Sequence, residues 1–330
     1  MTDTPLPRLA LTLGDPTGIG PEIAAKLLAE PGNLDRAEIY LLADEQELKS
    51  VAEQAGVAVP VGPTPGAGRV HCIGTAYSGP TPEPQRVSRE AGERVMADLR
   101  AAVARYLDGT VDAIMFAPLN KSSLHLAGMH EEDELRWFAT ELGYSGTTSE
   151  LNFVPGLVTS RVTSHISLAE VSARISANSV LEAIKLLNDV LLGSGVEVPR
   201  LAVCALNPHA GENGAFGREE IDHIAPGAEL ARAQGIDATG PFPCDTVFLR
   251  ARDGGFDGVV TMYHDQGQIA MKLLGFEQGV TVQGGLPVPI VTPAHGTAFE
   301  IVGKGIASIG AISQAYDLAV SLGARTRANR

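Results

Sequence analysis

Short β-branched and aliphatic runs alternate along this chain with stretches of helical periodicity, and that rhythm limits its folds more than any other feature. Leu9 to Leu13 reads as a strand and Gly14 to Gly20 as a glycine-rich turn. Pro21 suits the first turn of the next helix, where its missing N–H would have had no partner anyway. Val87, Ala91, Val95, Leu99, Val103 and Leu107 recur every four residues and form the apolar stripe of a long helix. Val111 to Phe116, Leu157 to Thr163, Leu201 to Leu206 and Gly258 to Met262 read as further strands, separated by helical stretches such as Val180 to Leu192. Strand, helix, strand in this order predicts an α/β fold with a mainly parallel sheet. Pro60 to Gly68 and Ser78 to Pro84 interrupt it as surface loops, and the basic end, Ala324 to Arg330, is expected to be a frayed tail.

A chain of 330 residues suits two such units, and a hydrophobic fraction of 44% is ample for sizeable cores, which sets disorder aside. The net charge of −14 argues against a nucleic-acid or anionic-membrane partner, because those binders present positive fields. A small anionic substrate in a local basic pocket stays compatible with it. No apolar run is long enough to span a bilayer, and Met1 to Arg8 has no signal-peptide core. Cys72, Cys204 and Cys244 are an odd number without Cys-x-x-Cys spacing, so neither a disulfide framework nor a thiolate zinc site is expected. The compartment expected is the cytoplasm.

His165, His209 and His264 each close a predicted strand, and in open α/β sheets the ligand crevice lies outside the carboxyl ends of the strands. Converging there, three imidazoles would hold one divalent first-row ion with positions open for substrate oxygens. Spacing alone leaves a second account open, in which each is an isolated hydrogen-bonded histidine. Gly14-Asp15-Pro16-Thr17-Gly18-Ile19-Gly20 is a strand-to-helix turn whose glycines permit close approach of a ligand, although ligand-free turns of this kind are common. It is neither a dinucleotide fingerprint nor a P-loop. His295-Gly296-Thr297-Ala298, continuing to Gly303-Lys304-Gly305-Ile306-Ala307, has too many glycines for a helix and reads as a loop lying against a flat or phosphorylated ligand.

These two segments resemble the metal-dependent decarboxylating dehydrogenases of isocitrate and isopropylmalate. With Asn207-Pro208-His209-Ala210-Gly211-Glu212 and Tyr263-His264-Asp265-Gln266-Gly267, the chain resembles the 4-hydroxythreonine-4-phosphate dehydrogenase family over nearly its whole length. The resemblance implies an α/β/α sandwich of two subdomains with a cleft between them. One subdomain would span 1–125 plus 275–330, with the glycine turn and an adenosine loop. The other would span 126–274, with the metal histidines and the dimer contact. It implies that His165, His209 and His264 bind Zn, Co, Ni, Mn or Mg, with His264 reaching the ion from the partner of an obligate homodimer. It further implies that Gly14, Asp15, His295, Gly296, Thr297 and Ala298 contact NAD or NADP. The reaction implied oxidises an alcohol β to a carboxylate, and the β-keto acid then loses carbon dioxide. Lys272 matches a family substrate-binding lysine and Asp245 a family acid near the metal, both assigned to catalysis; a solvated helix lysine and a capping aspartate are the plain alternatives.

The chain departs from the family where the substrate is gripped. A Gly-His-Thr-Glu run becomes Glu131-Glu132-Asp133-Glu134, placing Glu132 and Asp133 at substrate positions, and the family's substrate-binding Asn and Arg fall on Thr281 and Ile290. Losing a guanidinium weakens the hold on a phosphate, so an altered hydroxy-acid substrate is expected. One alternative is the oxidation of cis-dihydrodiol carboxylates, which needs no phosphate grip. Others are a metal hydrolase, which has no use for an adenosine loop, and a binding protein without turnover.

Overall fold

The computed structural model describes residues 5–275 and 278–330. Part of the expectation for Met1 to Arg8 therefore lies outside the described residues. The strands are β1 (Arg8–Thr12), β2 (Glu38–Leu42), β3 (Val70–Cys72), β4 (Ala113–Phe116), β5 (Ser149–Val154), β6 (Leu157–Arg161), β7 (Arg200–Cys204), β8 (Asp237–Phe242), β9 (Gly258–Thr261), β10 (Val280–Gly284) and β11 (Ile290–Pro293). The helices are α1 (Gly20–Ala29), α2 (Glu45–Ala55), α3 (Arg89–Leu107), α4 (Lys121–Leu126), α5 (Glu134–Glu141), α6 (Leu168–Arg174), α7 (Ala177–Gly193), α8 (Ala225–Ala233), α9 (Cys244–Arg252), α10 (His264–Gly275) and α11 (Gly310–Ala328). No helix among the described residues is long and apolar enough to cross a membrane.

The chain forms two compact units, Met1–Ser145 with Leu286–Arg330, and Gly146–Gly285. In the first, parallel strands run in the order β3-β2-β1-β4-β11. Helix α3 covers them with Val95, Leu99 and Val103 of the predicted stripe, whereas Val87, which precedes the helix, and Leu107, its last residue, stay exposed. Ser88 caps this helix by accepting from Ala91 N. In the second unit the order is β10-β5-β6-β9-β7-β8, with β5 antiparallel to both neighbours and β6, β9, β7 and β8 parallel.

The sequence placed the boundaries near 125 and 275; packing moves them. Trp137 and Phe138 of α5 are buried with Phe116 in the first core, which keeps residues up to 145 in that unit. Strand β10 pairs along β5, which draws the stretch before 286 into the second. The chain end is also corrected. Residues 324–328 are the last turns of α11, and Arg327 and Arg330 reach the fully buried Asp112, 3.3 and 3.5 Å away, beside the paired hydrogen bonds of Arg8. A buried carboxylate requires such partners, and they order what composition alone reads as a tail.

Candidate active site

Strands β6, β9 and β7 are neighbours and parallel, so the turns after their carboxyl ends lie side by side. Each turn carries one histidine: His165 after β6, His264 after β9, His209 after β7. The rings of His165 and His264 stand 5.6 Å apart, centroid to centroid, and line a cavity of about 270 Å³ with Thr163, Tyr263 and Asp265. His264 Nδ1 lies 2.7 Å from Asp265 Oδ1. A carboxylate on Nδ1 fixes the proton there and leaves the Nε2 lone pair to a ligand. Burial raises the Tyr263 phenol above its ordinary range.

His209 is exposed and does not line this cavity. Its 3-10 turn, Pro208–Gly214, holds His209, Ala210, Glu212 and Asn213 at φ 53, 54, 44 and 57°; His165 is left-handed too, at φ 36°. Such non-glycine conformations cost about 1–3 kcal/mol each and persist only where surroundings impose them. Glu220, itself buried, does so after β7, accepting from Leu206 N (2.9 Å), Asn207 N (2.7 Å) and Asn207 Nδ2 (3.0 Å). Buried Gln266 clamps two of the turns: its Oε1 accepts from Met262 N (2.7 Å) after β9, and its Nε2 donates to Ala205 O (2.8 Å) after β7. Thr163 Oγ1 donates to Met262 O (2.7 Å) and ties in the third. Sequence reasoning missed these clamps, although Gln266 sits inside a motif it singled out.

Two imidazoles on one cavity suit a borderline-soft divalent ion. Among the described residues of one copy, no group of three His, Cys, Asp or Glu stands close enough to hold one. The resemblance assigns His264 to the partner's side of the ion; within one copy it stands beside His165, and His209 does not line their cavity. Lys272 lies two turns beyond His264 on α10, and Asp245 in the first turn of α9, both exposed. Thr281 is half-buried on β10 and accepts from Asn152 Nδ2 at 3.3 Å.

In the first unit the chain leaves β1 for β2 and β3 on one side and returns to β4 on the other, a topological switch point of the kind where open sheets bind ligands. The glycine turn follows β1 there. Gly14 has φ +70°, and a Cβ on it would lie 2.4 Å from Ala117 O, so only glycine fits. Ile19 N donates to Thr297 O at 3.0 Å, pressing the turn against the loop after β11. Gln85 bridges the same two segments, its N donating to Thr17 O (2.8 Å) and its Nε2 to Val302 O (3.1 Å). Lys26 donates to the carbonyls of Gly305 and Ala307. His295, Gly296 and Ala298 keep exposed surface, and Gly303 and Gly305 face open space, a backbone-lined loop suited to a flat or phosphorylated ligand.

Other expected contacts have different work. Asp15 has no exposed surface; Thr17 N (2.8 Å) and Oγ1 (2.6 Å) donate to its Oδ1. Burial pushes its carboxyl above the usual range, and the Thr17 bonds offset only part of that. It holds the turn, as does buried Thr297. Asp133 is 5% exposed and caps α5, its Oδ1 accepting from Arg136 N at 2.8 Å, while Glu132 is exposed. Ile290 is corrected: it has no exposed surface and pairs with Ile114 in the first core, so it packs and presents nothing to a substrate.

A family model described as pyridoxal phosphate biosynthetic protein PdxA matches residues 25–319. A Pseudomonas aeruginosa protein named "Putative 4-hydroxythreonine-4-phosphate dehydrogenase 2" is 49% identical over 96% of this chain and 97% of its own. D-threonate 4-phosphate dehydrogenase of Cupriavidus necator is 38% identical over 97% and 98%. Among solved structures, 4-hydroxythreonine-4-phosphate dehydrogenase from Klebsiella pneumoniae superposes with a TM-score of 0.82 at 34% identity, covering 98% of this chain and 99% of that one. A terephthalate 1,2-cis-dihydrodiol dehydrogenase from Burkholderia xenovorans LB400 gives 0.71 at 29%, covering 97% and 99%. Isocitrate dehydrogenase from Methylococcus capsulatus, at 0.50 and 16% over 97% and 88%, shares the fold alone.

Proposed function

This chain belongs to the pyridoxal phosphate biosynthetic protein PdxA family, and we propose that it oxidises the alcohol β to the carboxylate of a hydroxy acid 4-phosphate, with NAD or NADP as acceptor and loss of carbon dioxide. It is a dehydrogenase, as its relatives are, so the hydrolase and pure binding-protein readings fall away. The observation that carries the substrate class is the pair of relatives named for 4-hydroxythreonine 4-phosphate and D-threonate 4-phosphate, each matching 96% or more of the chain. Those acids share the C3 alcohol and the 4-phosphate and differ only at C2, an amine in one and a hydroxyl in the other. The altered substrate expected from Thr281 and Ile290 becomes, in this reading, a different C2 group and a phosphate held without an arginine at 290. The dihydrodiol alternative has the weaker support, at 29% identity.

His165 and His264 would hold the divalent ion, with Asp265 orienting His264, and the set would be completed by a histidine of a second copy. Exposed Leu168, on the same cavity, with exposed Ile269 and Leu273 on α10, favours a homodimer, since exposed apolar surface gains by being covered. A divalent ion, when bound, lowers the pKa of an oxygen it contacts. A nicotinamide, when bound, accepts the hydride. Lys272 offers a cation to the acid's anionic end, and Asp245 is the candidate proton acceptor. The backbone from His295 to Ala298, with Gly14, would seat the cofactor. We place the reaction in the cytoplasm.

The test is NAD(P)H formation at 340 nm with both 4-phosphate acids and a cis-dihydrodiol carboxylate, with and without chelator. Turnover of one 4-phosphate acid at micromolar concentrations, abolished by chelator and restored by a divalent ion, is expected. Turnover of the dihydrodiol alone would overturn the substrate class.

A further inference from the structure

One face of the second unit's sheet carries a polar network behind Thr281 whose other members have no part in the reaction as described. Arg161, at the end of β6, is 4% exposed at its side chain and ion-paired with Glu150 of β5. Its Nε donates to Ser164 Oγ at 3.0 Å, and its Nη1 to Asn152 Oδ1 at 3.1 Å. Gln268 of α10, between His264 and Lys272, donates to the same Oδ1. Asn152 in turn donates to Thr281 Oγ1, directly across the β5–β10 pair.

The direction of this chain of bonds is fixed. A guanidinium only donates, so Asn152 must turn its carbonyl to Arg161 and its amide nitrogen to Thr281. With its oxygen already accepting, Thr281 has its own O–H to give away. Hydrogen bonds in series polarise one another, and a buried cation at the head strengthens the last donor. Two residues along β10, on the same face, buried Gln283 has no hydrogen-bond partner for its Oε1 among the described residues.

We propose that Arg161 and Asn152 are positioning residues that make the Thr281 hydroxyl a directed donor to an anionic oxygen of the substrate, thereby setting which acid the enzyme accepts. This rests on the reading of the chain as a hydroxy-acid dehydrogenase with β10 at its substrate. The test uses the full-length enzyme, measuring steady-state kinetics and calorimetric binding of D-threonate 4-phosphate and of D-threonate. Thr281→Val and Asn152→Leu should each weaken kcat/KM and binding tenfold or more, with the larger share of the kinetic loss in KM. The double variant should be no worse than either alone, and Thr281→Ser should restore binding. A loss confined to the phosphorylated acid assigns the donor to phosphate, and a loss on both acids assigns it to carboxylate. Thr281→Val binding within twofold of the unaltered enzyme, additive losses, or no binding of either acid by the unaltered enzyme overturns the relay. Acid that binds without being oxidised overturns the dehydrogenase reading and leaves the relay to be judged by the binding ratio.

Discussion

Both units of this chain place their candidate chemistry at the carboxyl ends of parallel strands, by opposite means. The first does it with backbone: a glycine turn locked against Ala117 and Thr297, with the one carboxylate, Asp15, wholly buried beneath it. The second does it with side chains: His165 and His209 on left-handed turns and His264 at the start of α10, where the amide of Gln266 and the carboxylate of Glu220 hold the strand ends. A backbone device excludes added atoms, whereas a side-chain device fails through lost donors and clamps. Variants should therefore damage the two in different ways.

The largest effect is expected from His264→Ala. Removing one of two imidazoles on the cavity should cut NAD reduction about 10³-fold, the scale of several kcal/mol of charge stabilisation. Activity within tenfold of the unaltered enzyme would remove the pair from the metal site. Gln266→Leu comes next. It leaves Met262 N and Ala205 O buried without partners, at about 2–4 kcal/mol, and should lower both Tm and the affinity for added Mn²⁺ or Zn²⁺. An unchanged metal affinity would reduce this clamp to ordinary packing. On the other side, Gly18→Ala puts a Cβ 2.7 Å from that of Thr297 and should cost about 1–3 kcal/mol in Tm measurements, with a smaller NAD-induced thermal shift. A variant that binds NAD normally would uncouple the turn from the loop.

Two smaller effects sharpen the comparison. Asp133→Ala should cost about 1 kcal/mol, as expected for a lost helix cap, with KM for the acid unmoved; Asp133→Ser should recover the stability. A tenfold change in KM would return this residue to the substrate. Asp15→Asn should show a smaller stability change, one that depends on pH. Because the folded carboxyl sits above its ordinary range, the native state binds the proton more tightly than the unfolded chain. Stability is therefore lost as pH rises from the usual carboxylate range through the raised pKa. The asparagine variant lacks that loss, so its Tm should gain on that of the unaltered protein as pH rises above the usual carboxylate range.

Strands and long helices were legible in the sequence because burial writes a period into it: Val95, Leu99 and Val103 face a core, and so do the runs that became β4, β6, β7 and β9. The three histidines stood out because they end such runs. Their proximity was not legible, since it follows from strand order β6-β9-β7, which no local spacing encodes. Capping is equally silent: the acidic run before α5 looked like a substrate wall until Asp133 was seen bonded to Arg136 N. Ile290 misled for the opposite reason, because a position matched by motif says nothing of whether the side chain faces a cavity or a core. Arg161 did leave a trace, a charge within the apolar stretch Leu157 to Thr163, and a charge there asks for partners.

The three arginines on Asp112 carry a consequence for how the molecule is made. The second unit is one continuous stretch, while the first needs residues from both ends of the chain. During synthesis the second unit can close before Leu286–Arg330 has emerged from the ribosome. Asp112 meanwhile has Arg8 as its companion and waits for Arg327 and Arg330, so the first unit is finished only once that segment has emerged. Nascent chains stalled short of α11 should thus carry a protease-resistant second unit and a first unit that is still open to cleavage.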